Sequence, residues 1–234
     1  MMVALGILLS RIVGLVRMRI FGHFLGTGPA ADAFTAALRI PNILQNLLGE
    51  GALSASFIPV YAGLLNQGDA ATARRVARAV AGLVGFAVAL AVLLGVLAAP
   101  LLTDVLAGGF DAETRALTIR LVRILFPATG LLAISAWCLG ILNSHRRFFL
   151  SYSAPVAWNL AMIVALVVWG PRNDADHLVV IVAWASVAGS ALQVLVQLPT
   201  VLRLLAGTME AATEVGRHVR VYMEIGRASC RERV

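Results

Sequence analysis

The chain has 234 residues, of which 60% are hydrophobic and only 13% are charged, and its mean hydropathy is +0.88. A soluble domain usually has about 25% charged residues, so this composition excludes an ordinary soluble domain and indicates a membrane protein. The net charge of +7 comes from 19 basic residues, all of them arginine. No soluble segment clusters them with aromatic residues as nucleic-acid binding requires, so we expect no nucleic-acid partner.

Six apolar runs follow one another along the chain, and a membrane-spanning helix needs about 20 such residues. The runs are continuously apolar and rich in Leu, Ala, Val and Gly, whereas the strands of a membrane barrel are short and alternating. The sequence therefore predicts an all-α, polytopic membrane protein with six transmembrane helices, of which the fifth is the shortest. The predicted spans are Val3–Leu25, Ala33–Leu65, Ala79–Leu102, Leu121–Leu142, Ala154–Trp169 and Leu178–Leu205.

The charges between the predicted spans indicate how the chain crosses the membrane. The loops after spans two, four and six carry eight arginines, whereas the opposite loops carry two arginines and five acidic residues. Cytoplasmic loops of membrane proteins are enriched in basic residues, so we expect these three loops and the N-terminus in the cytoplasm. The eight arginines are Arg74, Arg75, Arg78, Arg146, Arg147, Arg203, Arg217 and Arg220.

The first span carries arginines inside its apolar run. An ionisable residue there costs about 2.5 to 3.5 kcal/mol on insertion scales and is a functional candidate. On a helical wheel, Arg11 and Arg17 share one face with the small residues Gly6 and Gly14. Small residues let a neighbouring helix approach, and we expect both guanidinium groups to point into a protein-lined, water-containing space. Alternatively, Arg17 and Arg19 extend to the outer membrane interface as anchors.

The second span, treated as one helix, has a polar stripe that includes Arg39, Asn42 and Glu50. Pro41 removes a backbone hydrogen bond, and glycines flank Glu50. We therefore expect a kinked or broken helix of the kind that transporters have near the bilayer midplane. The alternative is that these polar groups bond to neighbouring helices and only hold the bundle together.

No sequence pattern typical of an enzyme is present. The chain has no nucleophile elbow, no P-loop and no HExxH motif. Its four histidines are not spaced with carboxylates or cysteines as metal ligands are, so we expect neither a metal nor another cofactor. The sequence therefore supports neither catalysis nor ATP hydrolysis by this chain, and any transport would be driven by a gradient or by the energetics of the substrate.

Three sequence motifs carry a resemblance to a known family. The stretches LSRIVGLVRMR and GPAADAFTAALRIPNILQNLLGEGALSASFIPVY resemble the N-terminal signature of the MurJ/MviN lipid II flippases. The stretch GILNSHRRFFLSYSAPVAWNL resembles their connection between spans four and five. The match runs nearly continuously from Leu9 to about Leu205. It implies a MATE-like fold of two six-helix lobes and a C-terminal helix pair around a central cavity, with this chain as the N-terminal lobe.

The resemblance also implies a function. Members of this family flip lipid II, an undecaprenyl-pyrophosphoryl glycopeptide for peptidoglycan biosynthesis and cell shape, from the inner to the outer leaflet of the bacterial cytoplasmic membrane. The implied partners are lipid II, membrane lipids and the missing C-terminal lobe of the same protein. Two alternatives remain: export of another polyprenyl-linked glycan, and a scaffold that recruits partners without transport.

The family's cavity residues correspond to positions of this chain. Its two cavity arginines correspond to Arg11 and Arg17 through the motif SRxxGxxR, and the acidic residue of ADAF corresponds to Asp32. Arginine binds a pyrophosphate in a planar, bidentate manner, so these arginines would hold the lipid headgroup. The candidate substrate-binding residues are Arg11, Arg17, Asp32, Arg39, Asn42 and Glu50.

Three positions depart from the family pattern, and the end of the chain departs from it altogether. Met18 stands where an acidic residue often follows the second arginine, and Gln45 and Asn46 stand where basic residues are frequent. Residues 1–205 are predicted to form the six-helix lobe, and 206–223 a cytoplasmic segment leading to a missing seventh helix. The tail EIGRASCRERV, residues 224–234, has the form of a translated sequencing adapter, so we expect it not to be biological.

Overall fold

The computed structural model describes the backbone of residues 2–45 and 56–231 and the side chains of residues 6–39, 41–42 and 56–206. These ranges contain helices and short turns and no strand, which confirms the all-α prediction. A short 3-10 helix, Gly170–Arg172, joins the last two long helices. The helices are α1 (Met2–Leu25), α2 (Pro29–Gln45), α3 (Ile58–Asn66), α4 (Ala70–Leu97), α5 (Ala99–Leu106), α6 (Ala112–Ser144), α7 (Phe148–Trp169) and α8 (Ala175–Arg231).

Four of the described helical segments are long and apolar enough to cross a membrane, and they correspond to predicted spans three to six. Helix α1 has 24 residues, long enough for span one, but it carries three arginines. Helix α2 has 17 described residues, fewer than a full span. The polytopic helical fold is therefore confirmed, whereas the count of six spans stays a prediction. The four segments are Ala70–Leu97, Ala112–Ser144, Phe148–Arg172 and Ala175–Ala206.

The helices extend beyond the apolar runs that predicted them. Helix α4 begins at Ala70, where the side chain of Asp69 accepts a hydrogen bond of 3.0 Å from the backbone nitrogen of Thr72. The three arginines predicted for the loop after span two therefore lie in the first turns of this helix, which corrects the prediction. Hydropathy detects only the part of a helix that meets lipid, whereas alanine and arginine are both strong helix formers.

Helix α8 is the longest element, and it continues to Arg231. It runs through residues 206–223, which the sequence assigns to a cytoplasmic segment, and into the tail that begins at residue 224. A helical backbone does not decide on which side of the membrane a segment lies. The domain boundaries at 205 and 223 therefore stay predictions.

Two clusters of buried residues lie at opposite ends of the bundle. The first cluster forms where α1 and α7 end and α2, α6 and α8 begin, which requires these helices to alternate in direction. The second cluster forms where α6 ends and α4 begins. Helix α6 is central, since 61% of its most apolar segment is buried against 11% for α4. The first cluster includes Phe34, Leu121, Leu166 and Val179, and the second includes Tyr61, Ala77, Ile141 and Val201.

The two ends of the bundle differ in charge. Five acidic residues of the predicted outer loops lie at the end with the first cluster, and arginines of α4, α8 and the turn between α6 and α7 lie at the other end. At the acidic end, Arg115 pairs with Asp104 through contacts of 2.5 Å and 2.8 Å. This pairing holds the pKa of Asp104 below its usual value. The asymmetry is the one on which the prediction of a cytoplasmic N-terminus depends.

Candidate functional site

The small-residue face of α1 lies against α7. A Cβ atom on Gly6 would stand 3.1 Å from the Cβ of Tyr152, and a Cβ on Gly14 would stand 4.0 Å from Oδ1 of Asn159. Residue numbers increase together along the two helices, so they run parallel. Gly6 allows the close approach that small residues were expected to allow, whereas a Cβ on Gly14 would make only an ordinary van der Waals contact. We call this contact the α1–α7 seam.

Arg17 lies in the α1–α7 seam and is partly buried there. Its Cζ atom is 4.7 Å from the ring centroid of Trp158, and its Nη1 donates a hydrogen bond of 3.5 Å to Sδ of Met162. Trp158 and Met162 are four residues apart and share one face of α7. No carboxylate of the described residues pairs with Arg17. An aromatic face therefore stabilises this cation without neutralising it.

The ring of Trp158 is fixed from its other side by α8. Its Nε1 donates a hydrogen bond of 2.9 Å to Oγ of Ser186. The backbones of α7 and α8 also approach closely here, because a Cβ on Gly189 would stand only 2.9 Å from the Cα of Trp158. Arg17, Trp158 and Ser186 thus form a chain of contacts across three helices.

Arg11 lies on the same helix, about 9 Å from Arg17 along the axis, and its side chain is exposed. It makes no hydrogen bond or ion pair with any residue that the structure describes. Its neighbours Leu8, Ile12 and Leu15 are exposed apolar residues. A guanidinium on an apolar helix surface is unfavourable in lipid, so Arg11 requires a polar partner such as water, another part of the protein or a ligand.

The other described candidates, in and just before the second predicted span, lie on α2 rather than on α1. Asp32 is exposed in the first turn of α2, where a helix N-terminus stabilises negative charge. Arg39 and Asn42 are also exposed, and Pro41 is buried within the continuous helix. Glu50 and the predicted break beside it lie outside the described residues.

The candidate residues on α2 do not contact Arg17 through hydrogen bonds or ion pairs in the described part of the chain. Helix α2 packs mainly on α6, whereas α1 packs mainly on α7. The two helices meet near their connection, where the rings of Phe21 and Phe34 lie 5.2 Å apart. In the described part of the chain, no hydrogen bond or ion pair joins Arg17 to Asp32, Arg39 or Asn42.

Arg19 lies in a different environment from Arg17. It lines an open groove of about 520 Å³ near the end of α1, together with His23, Phe24 and Val167 of α7. A side chain in an open groove can extend towards headgroups, as the anchor interpretation of Arg19 requires. Arg17 instead extends into the α1–α7 seam.

A second polar contact joins α6 to α8 and contains no charge. Oγ of Ser135 donates a hydrogen bond of 2.7 Å to Oε1 of Gln197, and Nε2 of Gln193 donates one of 2.8 Å to Oγ of Ser135. All three residues are buried. We call this contact the α6–α8 seam. No group of three His, Cys, Asp or Glu side chains in the described ranges could hold a metal ion.

Sequence reasoning missed three residues of this site, namely Trp158, Met162 and Ser186. A tryptophan in an apolar run is typical of packing or of the membrane interface, and the other two residues carry no signal of their own. The sequence feature that could have pointed to Trp158 is the polar Asn159 directly after it, at the end of the third motif. Oδ1 of Asn159 is buried in the seam without a hydrogen-bond partner in the described chain.

A family model and the similar curated proteins all point to one protein family. A family model described as "Lipid II flippase MurJ" matches residues 21–224. A probable lipid II flippase MurJ of Rhizobium tropici is 38% identical over 160 residues, covering 67% of this chain and 30% of that protein. The lipid II flippase MurJ of Burkholderia cenocepacia is 35% identical over 194 residues, covering 82% of this chain and 37% of that protein.

A solved structure, "Lipid II flippase MurJ, inward closed conformation", shares the fold. The TM-score is 0.64 at 21% sequence identity, and the match covers 90% of this chain and 47% of that chain. The chain therefore spans 30% and 37% of the two curated relatives and about half of the solved chain.

Proposed function

The chain belongs to the lipid II flippase MurJ family, and we propose that it forms the N-terminal lobe of a flippase. The whole protein would move lipid II from the inner to the outer leaflet of the bacterial cytoplasmic membrane, as a transporter rather than an enzyme. The N-terminus would lie in the cytoplasm, and the cavity would close against a second lobe. The observation that carries this proposal is the cation of Arg17, held inside a helical bundle without a carboxylate partner in the described chain.

The two arginines of α1 have the chemistry that a pyrophosphate needs. A guanidinium offers several N–H donors in one plane and binds phosphate oxygens in pairs. Arg17 would supply a fixed contact, and the exposed Arg11, about 9 Å away along the axis, would supply a second. The polyprenyl tail would stay in lipid while the headgroup crosses. Asp32, Arg39, Asn42 and Glu50 would line the opposite wall of the same cavity.

The membrane potential would favour outward movement of this headgroup. Moving one elementary charge across 100 mV is worth about 2.3 kcal/mol. A headgroup with two negative charges that leaves a negative interior would gain roughly twice that amount, less the charge that counter-ions cancel. The proposed direction from inner to outer leaflet agrees with the sign of this term.

Growth of a flippase-depleted cell tests the proposal. Residues 1–223 would replace the aligned N-terminal part of the Burkholderia cenocepacia relative, and the chimera would be expressed at matched membrane levels. We expect the chimera to restore growth, and Arg17→Ala and Arg11→Ala to abolish it. Arg172→Ala is the matched control, because Arg172 lies in the exposed turn between α7 and α8 and, among the described residues, bonds only to the carbonyl oxygen of Val168.

The outcomes separate the possible functions. Normal growth of both α1 variants would remove their proposed role in binding the headgroup. Failure of the parent chimera, with restored export of another polyprenyl-linked glycan in a strain that lacks that exporter, would favour the first alternative function. A parent chimera that supports neither process would leave the scaffold.

A further inference from the structure

We propose that Trp158 is a positioning residue for Arg17, and that Ser186 holds Trp158 in the orientation that this requires. The inference rests on the proposed function, because it concerns how the same site receives an anionic headgroup. It adds two residues, on α7 and α8, to a site that sequence reasoning placed on the first two spans alone.

The geometry of the stack leaves the guanidinium free to bind an anion. Cζ of Arg17 is 4.7 Å from the ring centroid of Trp158, so the aromatic ring supports the cation through its π-electrons. Guanidinium N–H groups point outward in the plane of the group, and within the described part of the chain only Nη1 donates a hydrogen bond, to the weakly accepting sulfur of Met162. A carboxylate partner would occupy these donors. An aromatic partner leaves them available for phosphate oxygens.

The ring must itself be held in place for this support to be directional. The hydrogen bond from Nε1 to Oγ of Ser186, 2.9 Å long, fixes the rotation of the indole. The close approach of Gly189 to the Cα of Trp158 fixes the backbone of α7 against α8 at the same level. Arg17 is therefore restrained before any ligand arrives, and restraint in the binding geometry lowers the entropy lost on binding.

A small change at Ser186 tests the inference without touching the arginine. The chain is placed in phosphatidylcholine nanodiscs and titrated with undecaprenyl pyrophosphate, with undecaprenol as the probe that lacks the anion. We expect Ser186→Ala to weaken binding of the pyrophosphate about three- to tenfold, the range of a displaced cation–π contact. Binding of undecaprenol should not change.

Ser190→Ala provides the matched control. Ser190 is buried one turn further along α8, and its Oγ donates to the carbonyl oxygen of Val187 on its own helix. The same atom is removed from the same helix, but no hydrogen bond to Trp158 is lost. We expect its affinity to stay within about twofold of the parent, as for a site without shared partners.

Tryptophan fluorescence supplies a readout that loss of packing would not imitate. With Trp137, Trp169 and Trp184 replaced by Phe, Trp158 is the single emitter. Pyrophosphate binding at Arg17 should change its emission, and undecaprenol should not. Trp158→Phe keeps an aromatic face and should bind with an affinity between those of the parent and Trp158→Leu.

Each outcome decides between the positioning role and the proposed function. If the parent chain binds no pyrophosphate lipid, both are overturned. If the parent binds but the emission of Trp158 does not respond, or Ser186→Ala binds like the parent, the positioning role is overturned and the proposed function stands. Equal losses in Ser186→Ala and Ser190→Ala would indicate general packing of α8 and would also overturn the positioning role.

Discussion

The α1–α7 seam and the α6–α8 seam both place polar groups inside an apolar bundle, but these groups have different kinds of partner. In the α6–α8 seam, three buried neutral side chains bond to one another, and Oε1 of Gln193 and Nε2 of Gln197 have no hydrogen-bond partner among the described residues. In the α1–α7 seam, a cation lies on an aromatic ring and keeps most of its donors free. Neutral hydrogen bonds between helices mainly hold the helices together, whereas a supported and unpaired cation can also bind a ligand.

Helix α8 takes part in both arrangements through one face, at two different levels along its axis. Ser186 contacts Trp158 of α7, and Gln193 and Gln197 bond to Ser135 of α6. The two seams are separated along α8 by about two turns. Substitutions in the α1–α7 seam should therefore change mainly headgroup binding. Substitutions in the α6–α8 seam should change mainly the stability of the bundle.

The largest expected change in the free energy of unfolding comes from disturbing the close approach of α7 to α8. A Cβ at Gly189 would stand 2.9 Å from the Cα of Trp158, and backbone atoms cannot move aside as a flexible side chain can. We expect Gly189→Leu to lower the free energy of unfolding by about 2 to 3 kcal/mol through overpacking. Unfolding in mixed detergent and SDS micelles, followed by circular dichroism, measures this change.

Gly22→Leu is the control for this substitution. Gly22 lies on α1, and no atom outside its own helix turn lies within 4 Å of the position that a Cβ would take, so the added side chain extends into open space. Equal destabilisation by both variants would mean that the close approach of α7 and α8 is not what Gly189 provides.

A smaller effect is expected in the α6–α8 seam. Ser135→Ala removes the hydroxyl that both Gln193 and Gln197 use, and leaves buried amide groups without these hydrogen bonds. We expect a loss of about 1 to 2 kcal/mol in the free energy of unfolding. Ser144→Ala is the comparison, because the hydrogen bond that the described structure gives to Oγ of Ser144 goes to the carbonyl oxygen of Gly140, one turn earlier on the same helix. A loss in Ser135→Ala no larger than that in Ser144→Ala would show that the network does not stabilise the bundle.

The smallest effect concerns pH, at the end of the bundle opposite the acidic loops. The ring of His145 lies 3.1 Å from the hydroxyl of Tyr61, and burial together with the charge of Arg147 holds the pKa of His145 below its usual value. The unfolded chain therefore binds a proton at higher pH than the folded chain. The contribution of this residue to stability is present above about pH 6.5 and is lost as pH falls below it.

Thermal unfolding at pH 7.5 and pH 5.5 measures this loss, and no carboxylate with a lowered pKa titrates between these values. We expect the parent chain to lose more stability between the two pH values than His145→Gln does. The same loss in both would mean that His145 makes no pH-dependent contribution.

The sequence predicted the parts of the fold that depend on hydropathy. Spans three to six correspond to helices because lipid contact requires an apolar run. The ends of the helices were predicted less well, since Ala70 begins α4 well before its apolar run and polar residues continue α8 beyond Leu205. The pairing of α1 with α7 could not be predicted, because several helices present small residues and no local signal selects between them.

The residues of the site were also predicted only in part. Arginine inside an apolar run identified Arg11 and Arg17 from the cost of burying charge, and the helical wheel identified their face. It could not identify what lies opposite that face, so the role of Trp158 beside Arg17 was not predicted. The partner of Arg17 depends on the register between two helices that are far apart in sequence.

The most direct test compares the two seams in one binding measurement. Arg17→Gln and Ser135→Ala, each in the chain in nanodiscs, are titrated side by side with undecaprenyl pyrophosphate. We predict that Arg17→Gln weakens binding by about tenfold or more, the effect of a lost hydrogen bond to a charged group, and that Ser135→Ala stays within about twofold of the parent. Equal losses in both variants would contradict the proposed role of the α1–α7 seam, because the two seams would then not differ in function.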